Sequence, residues 1–339
     1  MKTAAPDAFP ILKRIFVVSI LLGLLLVISG FLGLSIGSTA QHLGQILAVL
    51  AGRSDQYPTL SSIIWRIRLP RVLLAALVGA TLSLGGLVFQ ALLRNPLAEP
   101  YILGISGGSA VGAIIGILLG MSPFPGVAFF AFAGSMATLL LVLLIASTRS
   151  AVKKDTLILA GVMVNAFCSS VIMFLISVTQ DSRLHNILFW LMGDLSMSDT
   201  HRTLMLTIAL LPCFAILFLL ARPMNILLMG EEMAANMGVD VRLVPLVLLL
   251  ITSVMVSAVV CHTGLLGFVG LVMPHLLRLV FGPDHRVLVP ACILGGGAYL
   301  ILSDLLARSL PAQGEMPVGV ITAMIGAPLF IVLLRRSRR

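Results

Sequence analysis

Residues 222–242 read Arg-Pro-Met-Asn-Ile-Leu-Leu-Met-Gly-Glu-Glu-Met-Ala-Ala-Asn-Met-Gly-Val-Asp-Val-Arg, a polar island between two long apolar runs, 200–221 and 243–262. The island is too small for a domain and too polar to cross a membrane. It carries Glu231 and Glu232 in a chain with only 13 acidic residues. A short acidic surface displayed between two membrane spans is expected to be offered to another protein. The chain is then one subunit of a larger membrane machine.

The flanking runs belong to a pattern. The chain has 339 residues, 59% hydrophobic and 10% charged, with a mean hydropathy of +1.12. A soluble domain carries about 25% charged residues. The deficit, with repeated runs of about 20 apolar residues, predicts an all-α polytopic membrane protein. Ten spans are expected, at 12–34, 71–92, 102–121, 127–147, 156–180, 200–221, 243–262, 267–281, 287–306 and 318–334. The eighth is short and holds Pro274, so a broken or re-entrant segment is expected there. Gly104 to Gly112 opens the third with small residues suited to close helix packing. Residues 181–199 contain an apolar stretch too short to span, read as a helix lying at the outer surface. Spans 2–5 and 7–10 begin on opposite sides, the arrangement of an inverted repeat.

Lysine and arginine set the orientation. With the N-terminus in the cytoplasm, 15 of the 22 basic residues fall on the inner side, so both termini are expected inside. The net charge of +9 is therefore read as topology, not as nucleic-acid binding, because the basic residues lie in short clusters between apolar runs. Arg66, Arg68 and Arg71 are exceptions, clustered on the outer side. The run from Ile15 to Leu34 follows Lys13 and Arg14 and exceeds a typical signal-peptide core, so an uncleaved first span is expected. The four cysteines stand singly in or near apolar stretches, as packing residues do.

Chemistry is sparse. No Gly-Lys-Ser/Thr is present to reach a nucleotide's phosphates, and none of the four lysines follows a glycine. If ATP drives the machine, a partner binds it, together with its magnesium. The six histidines lack metal-ligand spacing, so no metal site is expected. His262 near an outer span end is a candidate substrate contact. Asp304 and Arg308 stand four apart, on one face of a helix. Ionisable residues at mid-span are scarce, which argues against an ion-coupled transporter. An intramembrane enzyme would need a catalytic dyad at one depth, and none is visible.

Four stretches are more specific than generic membrane sequence. They are Arg66-Ile-Arg-Leu-Pro-Arg71; Leu93-Arg-Asn-Pro-Leu-Ala-Glu-Pro100 with Leu103-Gly-Ile-Ser-Gly-Gly-Ser109; Gly267-Phe-Val-Gly-Leu-Val-Met-Pro-His275 with Arg278 and Gly282-Pro-Asp-His-Arg286; and Glu315-Met-Pro-Val-Gly319 with Ile325-Gly-Ala-Pro328. In this order they resemble the FecCD-type permeases, membrane subunits of ABC importers for iron–siderophore complexes, haem and vitamin B12. The resemblance covers about residues 12–336.

It implies one permease domain over 1–339 with ten helices, two such subunits around a central pathway, two cytoplasmic ATPases below and a substrate-binding protein above. A homodimer in the bacterial or archaeal inner membrane is expected. The chain itself would be no enzyme and would bind no cofactor. An iron chelate is the first expected cargo, with cobalamin as the alternative. The island at 222–242 corresponds to the family's ATPase-coupling loop, with Met229, Gly230, Glu231, Glu232, Ala235 and Gly238 as the contact set; acids at the helix start suit its dipole, and Gly238 suits its end. Arg68, Arg71 and Arg308 correspond to positions that meet acidic residues of the binding protein. Lys154, Asp155 and Thr156 correspond to the cytoplasmic gate, though a Lys-Asp pair departs from the small hydroxyl residues expected. Asn165 and Ser169 are candidates for the pathway wall.

Overall fold

The computed structural model describes residues 11–36, 43–146, 154–311 and 314–337. Lys2, Arg149, Lys153, Arg338 and Arg339, counted above toward topology, lie outside the described residues. In chain order the helices are α1 (Ile11–Ser35), α2 (Leu43–Leu50), α3 (Pro58–Ile63), α4 (Leu69–Leu92), α5 (Ile105–Leu118), α6 (Ala128–Ala146), α7 (Lys154–Ser177) and α8 (Asp181–Met192). They continue with α9 (Thr200–Leu219), α10 (Ala221–Leu227), α11 (Glu231–Asn236), α12 (Leu243–Thr263), α13 (Val269–Phe281), α14 (His285–Ser309) and α15 (Val318–Ser337).

Among the described residues, seven helical segments are long and apolar enough to cross a membrane, and three shorter apolar helices, at 105–118, 269–281 and 318–332, make up the ten expected spans. The protein is an all-α, multi-pass membrane protein. The expected second span is longer than its hydropathy shows: α3 runs through one widened turn, Ile64–Arg68, into α4, giving a continuous helical path over Pro58–Leu92. Residues 181–199 hold the short helix α8, as expected, ended by Gly193 at φ 76°.

The centre of the fold is the pair α4 and α14. Nearly all of α4 is buried. A Cβ added at Gly79 would land on the Gly296 carbonyl oxygen, and one at Gly296 would crowd Ser83. Glycine lets the two backbones touch, so dispersion acts over the full helix length. The neighbouring helices α1, α6, α7 and α9 bury only a minority of their apolar span and present the rest outward. That division places α4 and α14 inside the bundle and the others toward lipid or a partner subunit.

The two shortest spans are short for one reason. After α4 the chain turns at Arg94 (φ 49°) and climbs back beside the bundle, so that Pro100 packs near Gly85 and Gly270. Gly85 stands about 10 Å inside the end of α4 by helical rise. Helix α5 begins only after Gly104, at φ 76°. Likewise α12 ends at Thr263, and an extended stretch leads through Phe268, at φ 68°, into α13. Irregular backbone at membrane depth must find partners within the protein. Here the two stretches satisfy each other. The Glu99 carboxylate accepts from the Phe268 N–H at 2.9 Å. The Tyr101 hydroxyl donates to the Leu266 carbonyl and accepts from the Leu266 N–H, both at 3.2 Å. A long helix followed by a short one thus recurs, in α4–α5 and in α12–α13.

Candidate functional site

The polar island folds as two short helices, α10 and α11. Ala221, Met224 and Leu227 turn one face of α10 into the core, and Ala234 buries α11 against it. Gly230 (φ 121°) opens α11 and Gly238 (φ 80°) follows its end, both in backbone regions that favour glycine. What remains outward is Glu231, Glu232, Ala235 and three methionines, Met229, Met233 and Met237, about half exposed or more. Exposed methionines next to acids make an adaptable contact surface, since the thioether chain repacks readily. Asp240 closes the loop by accepting from the N–H groups of Arg242 (2.8 Å) and Leu243 (2.9 Å). Those donors, led by Leu243, hold its carboxyl below the ordinary aspartate value.

The island is tied to the bundle at two points. Asn225 on α10 donates from Nδ2 to Asp284 Oδ1 at 2.8 Å, and its Oδ1 accepts from the His285 N–H at 2.9 Å. Arg94, at the end of α4, donates to the Leu227 carbonyl at 2.8 Å. Burial opposes ionisation of Asp284, but hydrogen bonds from Arg286 and Asn225 outweigh it and hold the carboxyl down at about 2. Sequence reading did not find this joint: Asn225 and Asp284 stand 59 residues apart.

At the opposite ends of α4 and α14, the arginines are not a free surface. Arg68, Arg71 and Arg308 are each about 5% exposed. Arg71 donates from Nε to Asp304 Oδ1 at 2.9 Å and from Nη1 to Glu315 Oε2 at 2.6 Å. Arg308 Nε stands 3.0 Å from Asp304 Oδ2, an ion pair without good hydrogen-bond alignment. Arg68 donates to the carbonyls of Leu34 (2.7 Å) and Ser35 (3.1 Å), and Arg308 to that of Gly33 (3.2 Å), capping the last turn of α1. These are the three side chains expected to meet a binding protein, and in this structure they are turned inward. Buried guanidiniums must be paired, and these are committed to joining α1, α4 and α14. The exposed cation of that stretch is Arg66.

The gate residues Lys154, Asp155 and Thr156 form the first turn of α7, with Asp155 exposed and Thr156 half-buried. The Lys154 side chain and the preceding residues 147–153 lie outside the described residues. Asn165 is half-buried, with Oδ1 lying where a Cβ on Gly107 of α5 would crowd it. Ser169, one turn on, is exposed and donates to the Asn165 carbonyl at 2.9 Å. The two therefore share a strip of α7, with Asn165 at the edge of the α5 contact. A cavity of about 610 Å³ opens between α5, α8 and α12, lined by Met121, Arg183, His185, Phe189, Trp190 and His262 among others. The His262 ring faces Phe124 at 5.4 Å, and its Nδ1 lies 2.8 Å from the Ala258 carbonyl oxygen.

Comparison with known proteins follows the same lines. Residues 25–336 match the FecCD transport family. The chain is 42% identical over 278 residues to the vitamin B12 import system permease protein BtuC of Salmonella arizonae, covering 81% of this chain and 84% of that protein. It is 44% identical over 277 residues to the cobalamin import system permease protein BtuC of Halobacterium salinarum, covering 82% and 74%. Among solved structures it resembles a metal-chelate type ABC transporter in an inward-facing conformation, with a TM-score of 0.84, 33% identity, and coverage of 94% of this chain and 98% of that one. With ten spans, a two-helix island and these similarities over four-fifths or more of its length, the chain belongs to the FecCD transport family, the permease subunits of ABC importers.

Proposed function

We propose that this chain is the permease of a cobalamin importer. The carrying observation is identity above 40%, over most of the chain, to vitamin B12 and cobalamin permeases from a bacterium and an archaeon. This favours the alternative named from sequence over the iron chelate first expected. The metal-chelate transporter of similar structure agrees with either cargo, since cobalamin is itself a cobalt chelate.

In this reading a separate ATPase docks on α10–α11 through Met229, Gly230, Glu231, Glu232, Ala235 and Gly238. A substrate-binding protein meets the outer end, where Arg66 is open to an acidic partner. Two copies of the permease enclose the pathway, with Asn165 and Ser169 on its wall and the start of α7 as its inner gate. Both termini lie in the cytoplasm. The chain performs no covalent chemistry; it offers its cargo and its ATPase different contacts in two conformations, which is what coupling requires.

The test is uptake. The permease is purified with its co-isolating ATPase and binding protein and sealed into proteoliposomes. ATP-dependent accumulation of labelled cyanocobalamin, undiminished by excess ferric siderophore or haem, is expected. Uptake of haem or a ferric siderophore without cobalamin returns the iron-chelate reading. Uptake that follows an ion gradient without ATP overturns the importer class.

A further inference from the structure

Three observations converge on one pair of helices. First, α4 and α14 touch backbone to backbone around Gly79 and Gly296, so neither moves far without the other. Second, both tethers of the cytoplasmic island land on this pair: Asn225 on the N-terminus of α14 through Asp284 and His285, and Leu227 on the end of α4 through Arg94. Third, the outer ends of the same two helices are locked by Arg71 of α4 and by Asp304 and Arg308 of α14. Helix α14 runs for 25 residues, about 38 Å at the usual rise, with Pro290 in its second turn and Gly295 to Gly297 at its middle.

We infer that α4 and α14 form a single lever that carries displacement of the ATPase-facing island to the outer ion cluster, and that Asn225 is the positioning residue at its inner joint. The inference rests on the proposed docking of an ATPase at the island.

The geometry gives Asn225 this task. Its amide nitrogen donates to Asp284, and its oxygen meets both the His285 N–H and, at 2.7 Å, the His285 Nδ1, all on the turn that starts α14. Asp284 caps that turn by accepting from the Arg286 N–H at 3.0 Å. A pull on α10 therefore reaches the first turn of α14 through hydrogen bonds as well as through the packed face of α10. Arg94 holds the second helix of the lever to the same short element. Helix α11, which carries the exposed acids and methionines, packs on α10 with Ala234 buried on its inner side. Force applied at α11 thus passes to α10, then to both members of the lever.

The test is hydrogen–deuterium exchange on the intact complex with its ATPase, in nanodiscs, with and without ATP and vanadate. In the parent protein, nucleotide is expected to change exchange at residues 302–311, the outer end of the lever. Asn225→Ala is expected to reduce that change at least fivefold while the ATPase still co-purifies. Asn225→Asp, which sets a second carboxylate against Asp284, is expected to do the same. The swap N225D with D284N restores one donor facing one acceptor, keeps a cap for α14, and is expected to restore the response. A purely structural role for Asn225 would instead raise exchange at residues 221–228 without nucleotide in Asn225→Ala, and no such rise is expected. No response in the parent protein, or a full response in Asn225→Ala, overturns the lever. Loss of ATPase co-purification from the parent protein instead removes the docking reading, and absent cobalamin uptake removes only the cargo.

Discussion

Arg71 and Asp304 meet across the α4–α14 seam, with Nε and Nη2 of the arginine each 2.9 Å from Oδ1 of the aspartate and neither side chain more than 7% exposed. Asp304 also faces Arg308, so one carboxylate serves two buried guanidiniums. Removing it leaves Arg308 without a carboxylate and Arg71 with Glu315 alone. Breaking a buried pair this way costs about 3–5 kcal/mol. Asp304→Ala is expected to lower thermal stability in detergent by that order. Replacing the whole set, Arg71→Met, Asp304→Leu and Arg308→Met, is expected to recover most of the loss, because neither guanidinium that Asp304 served is then left buried without it, while Arg68 keeps its carbonyl partners. Equal melting of D304A and the parent protein would remove the cluster's structural role.

Backbone contact between helices tolerates no side chain. A Cβ at Gly86 would overlap the Gly270 carbonyl, between α4 and the start of α13. Gly86→Ala must push the helices apart, and overpacking of this kind costs about 1–3 kcal/mol or more. Gly23 on α1 offers the control, since nothing lies within 4 Å of its added Cβ. Gly23→Ala is expected to be neutral or to stabilise by about 0.5–1 kcal/mol through helix propensity. Matching thermal stability for the two variants would contradict the close approach.

Span number, the short helix at 181–192 and the acidic helix of the island were legible because each depends on local composition: apolar length, a short apolar run, and acids between glycines. The glycine at 238 announced a helix end for the same local reason. Three features were not legible. The helical path before Arg71 is hidden because its residues are polar enough to break a hydropathy window. The burial of Arg68, Arg71 and Arg308 depends on which helix ends gather there, and periodicity carries no record of that. Asn225 and Glu99 look like ordinary loop residues until the chain brings Asp284 and Phe268 beside them.

Asp284 gives the inner joint an acid dependence. Its folded carboxyl sits at about 2, below an ordinary value of 3.8. A depressed carboxylate stabilises the folded state above its unfolded value and loses that contribution as pH falls through the folded one. The joint is therefore expected to hold down to about pH 4 and to weaken between pH 4 and 2. Amide exchange at residues 284–288, corrected for intrinsic rates, measures it. Asp284→Asn keeps a cap but has no carboxyl to titrate, so its exchange is expected to stay flat over that interval. A parent profile equally flat would contradict the assignment.

The outward face of α11 makes a second functional prediction. Glu231 and Glu232 occupy its first turn, where acids are favoured by the helix dipole. Reversing both to arginine changes the local charge by four units on an exposed element, with Ala234 still seated beneath it. The bundle is expected to stay folded, with thermal stability within about 1 kcal/mol. ATPase co-purification is expected to fall at least tenfold. Retention of the ATPase by E231R/E232R at the parent level would move the docking surface elsewhere.

The latch between the two half-helix entries separates hydrogen bonding from packing. Glu99 provides the acceptor for the Phe268 N–H, and Tyr101 serves both the N–H and the carbonyl of Leu266. Glu99→Gln keeps an acceptor oxygen and is expected to change little. Glu99→Ala strands an N–H at membrane depth, where water does not replace the partner, at a cost of about 1–3 kcal/mol. Tyr101→Phe keeps the ring but removes both bonds to Leu266, so its loss is expected to equal or exceed that of Glu99→Ala. Exchange at residues 264–268 should rise in E99A and Y101F and not in E99Q. If E99Q rises as much as E99A, the carboxylate charge rather than its acceptor oxygen holds the entry to α13, and the latch is ionic.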